Sequence, residues 1–349
     1  MSIQIGGVAV GAGFPPLIVA ELSGNHNGSL DRALEIVDAV ARSGAQALKL
    51  QTYTADTMTL DKAEGEFVVS DRASPWYGRT LYSLYREAGT PWEWHEALFK
   101  RARDAGLVAF SSAFDATAVD FLESLDVPAY KIASFENVDL PLIRRVAITG
   151  KPVILSTGMA TLAEIDEAVR TARAAGCQDL ILLKCTSSYP APPGSSNLAT
   201  IPHLRALFDC PVGLSDHTLG VGAAIASVAL GATVIEKHVT LRRAEGGVDS
   251  SFSMEPQELA LLVSEARSAW QALGIVAMGP TDGEIPSLTF RRSLYICADL
   301  RAGDVLTREN LRAIRPGLGL PPKYLDALLG KRVVKAVRRG TPADWPLIG

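Results

Sequence analysis

Val212-Gly-Leu-Ser-Asp-His217-Thr-Leu-Gly220 and Thr233-Val-Ile-Glu-Lys-His238-Val-Thr240 are two short apolar runs, each ending on a histidine. Between them, Val221 to Leu230 is alanine-rich with a helical pattern, and Gly231 closes it. Strand, helix and strand at this length make one βαβ crossover. Two parallel strands joined in this way are usually neighbours, so their C-terminal ends lie side by side. Neutral imidazoles at those two ends can share one divalent ion. One histidine at a strand end is more often satisfied by an ordinary hydrogen bond. Two, at matching positions of consecutive strands, point to a site.

The same rhythm extends back through the chain. Leu17 to Glu21 reads as a first buried strand, followed by the glycine-punctuated loop Glu21-Leu-Ser-Gly-Asn-His-Asn-Gly28. A helix capped by Ser29 runs on to Gly44. Ala45 to Leu50 is the second strand, and alternation sets Lys49 and Gln51 on one face with Leu48 and Leu50 on the other. Further strands are expected at 107–112, 129–133, 152–156 and 180–185, with helices at 116–125, 140–148 and from the capping box Thr161-Leu-Ala-Glu164 to Ala175. The histidine strands are then the seventh and eighth. Apolar strands alternating with amphipathic helices give a parallel sheet covered on its outer face, and eight such units close as an α/β (β/α)8 TIM barrel.

Two stretches break the rhythm. Residues 52–95 carry loop chemistry and concentrate Tyr82, Tyr85, Trp92 and Trp94. An insertion after the second strand of a barrel lies over the active-site mouth, where aromatic rings suit a sugar-sized ligand or simply pack the insertion down. After the helix 255–273 comes the turn-rich Met278-Gly-Pro-Thr-Asp-Gly283, and from Phe290 short strand-like runs alternate with turns. The expected organisation is a catalytic barrel over 1–280, a linker over 281–289 and a small β-rich domain over 290–349.

Composition narrows the function. The 349 residues are 48% hydrophobic and 21% charged, with a formal net charge of −4. No basic surface argues for nucleic-acid binding, so any anion site must be built from a few local cations. Cys177, Cys185, Cys210 and Cys297 show no metal-type spacing and read as reduced thiols. No apolar run reaches membrane-spanning length and no leader pattern opens the chain, which predicts a soluble cytoplasmic protein.

The strand ends hold the chemistry. Glu21, Lys49, Gln51, Ser112, Lys131, Ser134, Ser156, Ser187, Ser215, His217, Glu236 and His238 all fall at or just beyond them. Barrel enzymes place their catalytic groups at that end. One serine there is usually a turn or cap residue; a coordinated set is hard to explain by capping.

These residues stand in motifs that resemble the sialic acid synthase family along nearly the whole chain. They include Ala20-Glu-Leu-Ser-Gly-Asn-His-Asn-Gly28, Lys151-Pro-Val-Ile-Leu-Ser-Thr-Gly-Met-Ala-Thr-Leu-Ala-Glu-Ile165, Cys185-Thr-Ser-Ser-Tyr-Pro190, Gly213-Leu-Ser-Asp-His-Thr218 and Glu236-Lys-His238. Phe290-Arg-Arg-Ser-Leu294 and Arg315-Pro-Gly-Leu-Gly319 resemble that family's C-terminal antifreeze-like (SAF) domain. Lys49-Leu-Gln-Thr-Tyr-Thr-Ala-Asp-Thr-Met-Thr59, Gly78-Arg-Thr-Leu-Tyr-Ser-Leu-Tyr85, Thr90-Pro-Trp-Glu-Trp-His95 and Lys131-Ile-Ala-Ser-Phe-Glu-Asn137 are most similar to its pseudaminic acid synthase branch. One departure is Ala113, where the family usually has proline; no functional group is lost.

The resemblance implies a transferase that condenses phosphoenolpyruvate with 2,4-diacetamido-2,4,6-trideoxy-L-altrose and water, giving pseudaminic acid and phosphate with C–O cleavage. Lys49, Lys131, Ser112, Ser134, Ser156, Ser187 and Ser215 are the expected phosphoenolpyruvate ligands. His217 and His238 would hold Mn2+ or Mg2+, with nitrogen ligands favouring manganese. Glu21 and Glu136 are the acid/base candidates, their roles undivided, and Asp249 is a weaker one. Asn25, Gln51, Tyr189, Asp249 and Arg315 are expected around the sugar, and Asp216 around the ligands or the groups that hold them. Arg315 implies a domain-swapped homodimer in which each tail closes its neighbour's barrel. The competing readings are an N-acetylneuraminic or legionaminic acid synthase, a metal-dependent pyruvate aldolase, and a non-catalytic carbohydrate- or ice-binding protein.

Overall fold

The computed structural model describes residues 2–349, which divide into two compact units, 2–274 and 275–349. The first begins with an antiparallel hairpin, β1 (Ser2–Ile5) and β2 (Val8–Gly11). Eight parallel strands follow: β3 (Leu17–Glu21), β4 (Ala47–Thr52), β5 (Val108–Ala113), β6 (Tyr130–Ile132), β7 (Val153–Ser156), β8 (Leu180–Cys185), β9 (Val212–Ser215) and β10 (Val234–His238). They pair in sequence order, and β10 returns to β3 to close the barrel.

Period-two alternation sorts each strand's side chains between two cores. Leu48, Leu50, Ile132, Leu155, Leu182 and Leu214 point outward into the layer beneath the helices. Val19, Phe110, Ile154, Ile181 and Leu183 fill the barrel, and Ile3, Ile5 and Val10 of the hairpin join that inner cluster. The inner residues at the strand starts, Leu17, Ala47, Val108 and Val234, belong to the same cluster, so the hairpin plugs the N-terminal end. This hairpin had no counterpart in the sequence reading. With the lower barrel packed solid, the polar inward positions fall at the C-terminal ends of the strands, as in barrels generally.

Local signals set the helices. The barrel helices α1 (Leu30–Ser43), α4 (His95–Asp104), α5 (Ala116–Ser124), α6 (Leu140–Ala147), α7 (Leu162–Ala174), α8 (Thr200–Phe208), α9 (Gly222–Ala229) and α10 (Pro256–Leu273) surround the sheet. Ser29 accepts the Arg32 N–H at the start of α1, and Thr161 with Glu164 forms the expected capping box of α7. Gly213 lets β9 and β10 approach: a Cβ there would sit 2.3 Å from the Val234 carbonyl oxygen. The insertion after β4 holds two short helices, α2 (Ala55–Met58) and α3 (Leu81–Ala88), joined by a loop in which Val68 pairs with Thr80.

In the second unit, β11 (Ser293–Ile296) pairs with β12 (Leu311–Ile314), and a short helix α11 (Leu325–Leu328) adds Leu328 to a small core with Leu294, Leu306 and Val333. Residues 333–337 make only isolated bridges rather than a strand. The expected linker instead contains a 3-10 helix, Asp282–Phe290, capped by Thr281 and Glu284.

Candidate active site

At the C-terminal end of the barrel the register aligns His238 with Glu21 across β10 and β3, and Glu21 with Lys49 across β3 and β4. All three face inward and all are buried. Lys49 Nζ lies 2.9 Å from Glu21 Oε1, which also accepts a 2.7 Å hydrogen bond from Gln51 Nε2. The other Glu21 oxygen stands 3.3 Å from His238 Nε2. A second carboxylate, Glu236, sits across from it. Its Oε1 is 3.3 Å from Lys49 Nζ, 3.4 Å from Lys131 Nζ, and accepts a hydrogen bond from Ser215 Oγ at 3.1 Å.

The charges are not equally compensated. Burial alone would raise the Glu21 carboxyl, but Lys49, His238 and Lys131 together hold it well below the ordinary range. Glu236 is likewise lowered, burial being outweighed by the two lysines. Burial would lower Lys49, yet Glu21 and Glu236 hold it above its usual value. Lys131 is pulled down by burial and by Lys49, with Glu236 as its nearest counter-ion. A buried ammonium so placed is stabilised by an incoming anion.

The groups around Lys131 fit that anion. Ser156 Oγ is buried without a partner, and so is Glu136 Oε2. Burial pushes the Glu136 carboxyl up to about 7. Gly158 N donates to Ser134 Oγ at 3.1 Å, and Asn137 Nδ2 donates to the Gly158 carbonyl at 3.2 Å, which pins this loop. A Cβ on Gly158 would lie 2.3 Å from Ser187 Oγ and 2.6 Å from Ser134 Oγ, so only glycine permits the backbone to pack against both hydroxyls.

The two histidine rings have centroids 5.3 Å apart, flanked by Tyr189 at 4.3 Å from His217 and Phe252 at 5.1 Å from His238. His217 Nδ1 is 2.9 Å from the Thr186 carbonyl, so it carries the proton and leaves Nε2 as a lone pair when neutral. His238 Nδ1 lies 3.1 Å from Ser23 Oγ and 3.9 Å from Asp249 Oδ2. Among the described residues, no group of three or more His, Cys, Asp or Glu side chains is placed to hold a metal ion. Two imidazoles with oriented rings fit a divalent ion that takes its other ligands from water and substrate.

Residues 36–277 match the NeuB family and residues 291–348 match the SAF domain. The chain belongs to the NeuB family. It is 42% identical to the pseudaminic acid synthase of Helicobacter pylori over 94% of this chain and 96% of that one. Its identity to the N,N'-diacetyllegionaminic acid synthase of Legionella pneumophila is 37%, over 96% and 95% of the two chains. The crystal structure of the N-acetylneuraminic acid synthetase of Leptospira borgpetersenii, solved with citrate, superposes with a TM-score of 0.74 at 31% identity, covering 82% of this chain and 95% of that one.

The NeuB barrel brings most of the expected site residues into one cavity of about 270 Å3. Glu21, Lys49, Gln51, Lys131, Ser134 and Glu136 line it, as do Ser156, Tyr189, Ser215, His217, His238 and Asp249. The other expected residues do not line it. Asn25 was expected at the sugar, but its Nδ2 donates to the Val239 carbonyl and to Ser253 Oγ, both at 2.8 Å, so it ties two loops together behind the site. Ser112 accepts from Lys49 Nζ at 3.2 Å and supports that lysine rather than lining the cavity. Ser187 sits against Gly158, also outside the lining. Asp216 is held by Lys237 Nζ at 2.9 Å and by the Thr218 N–H, which shapes the turn carrying His217. Arg315 belongs to the second unit.

Some cavity residues went without a role in the sequence reading. Glu236 precedes His238 by two residues and so shares its face, which was signal enough. Cys185 lines the cavity with Sγ 3.9 Å from His217 Nδ1; burial would raise the thiol, but His217 brings it down to about 7. Trp76 reaches the cavity from the insertion, its indole N–H donating to the Val248 carbonyl at 2.8 Å.

Proposed function

We propose that this chain is a pseudaminic acid synthase, condensing phosphoenolpyruvate with 2,4-diacetamido-2,4,6-trideoxy-L-altrose and water to release phosphate. The observation that carries the reading is the under-compensated Lys131 beside the unpartnered Ser156 Oγ and Glu136 Oε2. That arrangement asks for an anionic ligand next to a group able to hold a proton, and similarity along nearly the whole chain supplies the substrate class.

Lys131, Ser134 and Ser156 bind the donor's phosphate, and Lys49 with Ser215 faces its carboxylate. Gln51, Tyr189 and Asp249 border the acceptor. His217 and His238 would hold a divalent ion, Mn2+ or Mg2+, which would supply Lewis acidity for the acceptor's aldehyde. The two acid/base candidates separate by environment. Glu136, with a carboxyl near 7, gives a proton to the aldehyde oxygen as the new C–C bond forms. Its carboxylate then takes a proton from the water that adds at C2, and collapse of that adduct expels phosphate with the bridging oxygen. Glu21 stays ionised and offsets the positive charge that develops at C2.

The homodimer, with the Arg315 of each subunit serving the other's barrel, is part of this proposal, and size-exclusion with light scattering tests it. So is a cytoplasmic location alongside the phosphorylated donor; no helix among the described residues is long and apolar enough to cross a membrane. The deciding experiment measures phosphate release from each three-carbon donor, phosphoenolpyruvate or pyruvate, with the altrose, its manno isomer or N-acetylmannosamine. Metal is removed by chelation and added back. Phosphate release with phosphoenolpyruvate and the altrose supports the reading; turnover of free pyruvate, or of N-acetylmannosamine alone, overturns it.

A further inference from the structure

The cavity has two chemically opposed sides. One is the ring of lysines, carboxylates and imidazoles at the strand ends. The other is contributed by the insertion after β4, whose residues in the lining are Tyr53, Met58, Val69, Trp76, Leu81, Leu84, Tyr85 and Ala88. Of these, only Tyr53 and Tyr85 offer a polar side-chain group to a ligand, because the Trp76 indole N–H is already spent on the Val248 carbonyl. Leu84 and Ala88 pack with Val248 and Trp76 into a small cluster that fixes the wall against the loop after β10.

We infer that Met58, Val69 and Leu81 form a specificity wall for the acceptor's C6 methyl group, selecting a 6-deoxy sugar over its 6-hydroxy counterpart. This rests on the reading of the site as a pseudaminic acid synthase and deepens it. The acceptor's aldehyde carbon must lie at the charged side, where Lys131, Glu136 and the histidines converge. An open-chain six-carbon sugar anchored there extends its far end away from that side, toward the insertion. A terminal hydroxyl against these three side chains would lose its water and find no partner, whereas a methyl group loses nothing and gains contact. An apolar surface can reject an added hydroxyl only moderately, by up to about 100-fold. The selectivity expected of the wild-type protein is therefore about 10- to 100-fold in kcat/KM.

The test compares two acceptors that differ only at C6, 2,4-diacetamido-2,4,6-trideoxy-altrose and 2,4-diacetamido-2,4-dideoxy-altrose, at saturating phosphoenolpyruvate. Val69→Thr replaces a methyl by a hydroxyl at nearly constant volume, and Met58→Gln introduces an amide of similar length. Each should reduce the deoxy-to-hydroxy ratio of kcat/KM by about 10-fold, with the KM for phosphoenolpyruvate and the melting temperature held near wild type. Two variants guard against a misfolded one. An unchanged ratio in folded variants, or equal use of both acceptors by the wild type, overturns the wall while leaving the synthase reading intact. Failure of the wild type on both acceptors, with turnover of N-acetylmannosamine, overturns the reading and the wall together.

Discussion

Lys49 Nζ and Glu21 Oε1 lie 2.9 Å apart on adjacent strands with almost no solvent exposure, and each charge has its shortest ion-pair contact in the other, with Glu236 and His238 both at 3.3 Å. Breaking such a pair from one side leaves an uncompensated buried charge. Lys49→Met is expected to cost about 3–5 kcal/mol of stability, measured by urea unfolding. The double variant Lys49→Met/Glu21→Gln should recover much of that loss, since it removes both charges, while remaining inactive. If the double variant is no more stable than the single one, the pair is not the source of the cost.

Glu136 differs from Glu21 in that burial outweighs the pull of Lys131 and Lys49, so its carboxyl sits near 7. As the acid of the C–C step it must be protonated, and kcat should fall as pH rises above about 7. Glu136→Gln should remove that limb and lower kcat by on the order of 100-fold, with little change in phosphoenolpyruvate affinity. Weakened binding with unchanged turnover would place Glu136 in binding instead. The stability sign is opposite to that of a salt-bridged carboxylate. The unfolded carboxyl ionises above about 4.5 while the folded one stays protonated toward 7, so Glu136 destabilises progressively across that window. Glu136→Gln should therefore be more stable at pH 8, by up to about 3 kcal/mol, and equal at pH 4.

His217 and His238 present their rings to the same space while Thr186 and Ser23 hold their Nδ1 atoms. His217→Ala or His238→Ala should keep the fold, judged by circular dichroism, and lose Mn2+ binding by at least 10-fold in calorimetry along with metal-dependent turnover. Full activity of the wild-type protein in excess chelator would remove the metal from the mechanism.

How far these features were legible follows from where each signal lives. Lys49, Gln51, Glu21 and His238 stand at the ends of apolar strands, where period-two alternation alone decides the face, and the barrel register then brings them together. Glu236 obeys the same rule and stands among the strand-end groups, but alternation does not reveal that its partners are Lys49 and Lys131. Asn25 was a different case: a loop asparagine's role depends on its tertiary partners, and those are Val239 and Ser253, more than 200 residues away. The hairpin at residues 2–11 was invisible because its strands have four residues each and its apolar partners lie inside the barrel. Helix α8 follows the proline-rich run 190–193 and carries Pro202 in its first turn, which masks its periodicity.

Gly158 offers the sharpest test of the anion pocket, because its substitution changes no charge and removes no functional group. A methyl group there would lie within 2.6 Å of both Ser134 Oγ and Ser187 Oγ, so the loop or the hydroxyls must move. Ser134 and the neighbouring Ser156 stand where the phosphate is expected, and a displacement of about 1 Å at such groups costs on the order of 100-fold. Gly158→Ala should therefore raise the KM for phosphoenolpyruvate by about 10- to 100-fold with the acceptor's KM near wild type. Ser187→Gly in the same chain relieves the closer of the two contacts and should restore part of the loss. A loss confined to the acceptor's KM would put the donor elsewhere in the cavity.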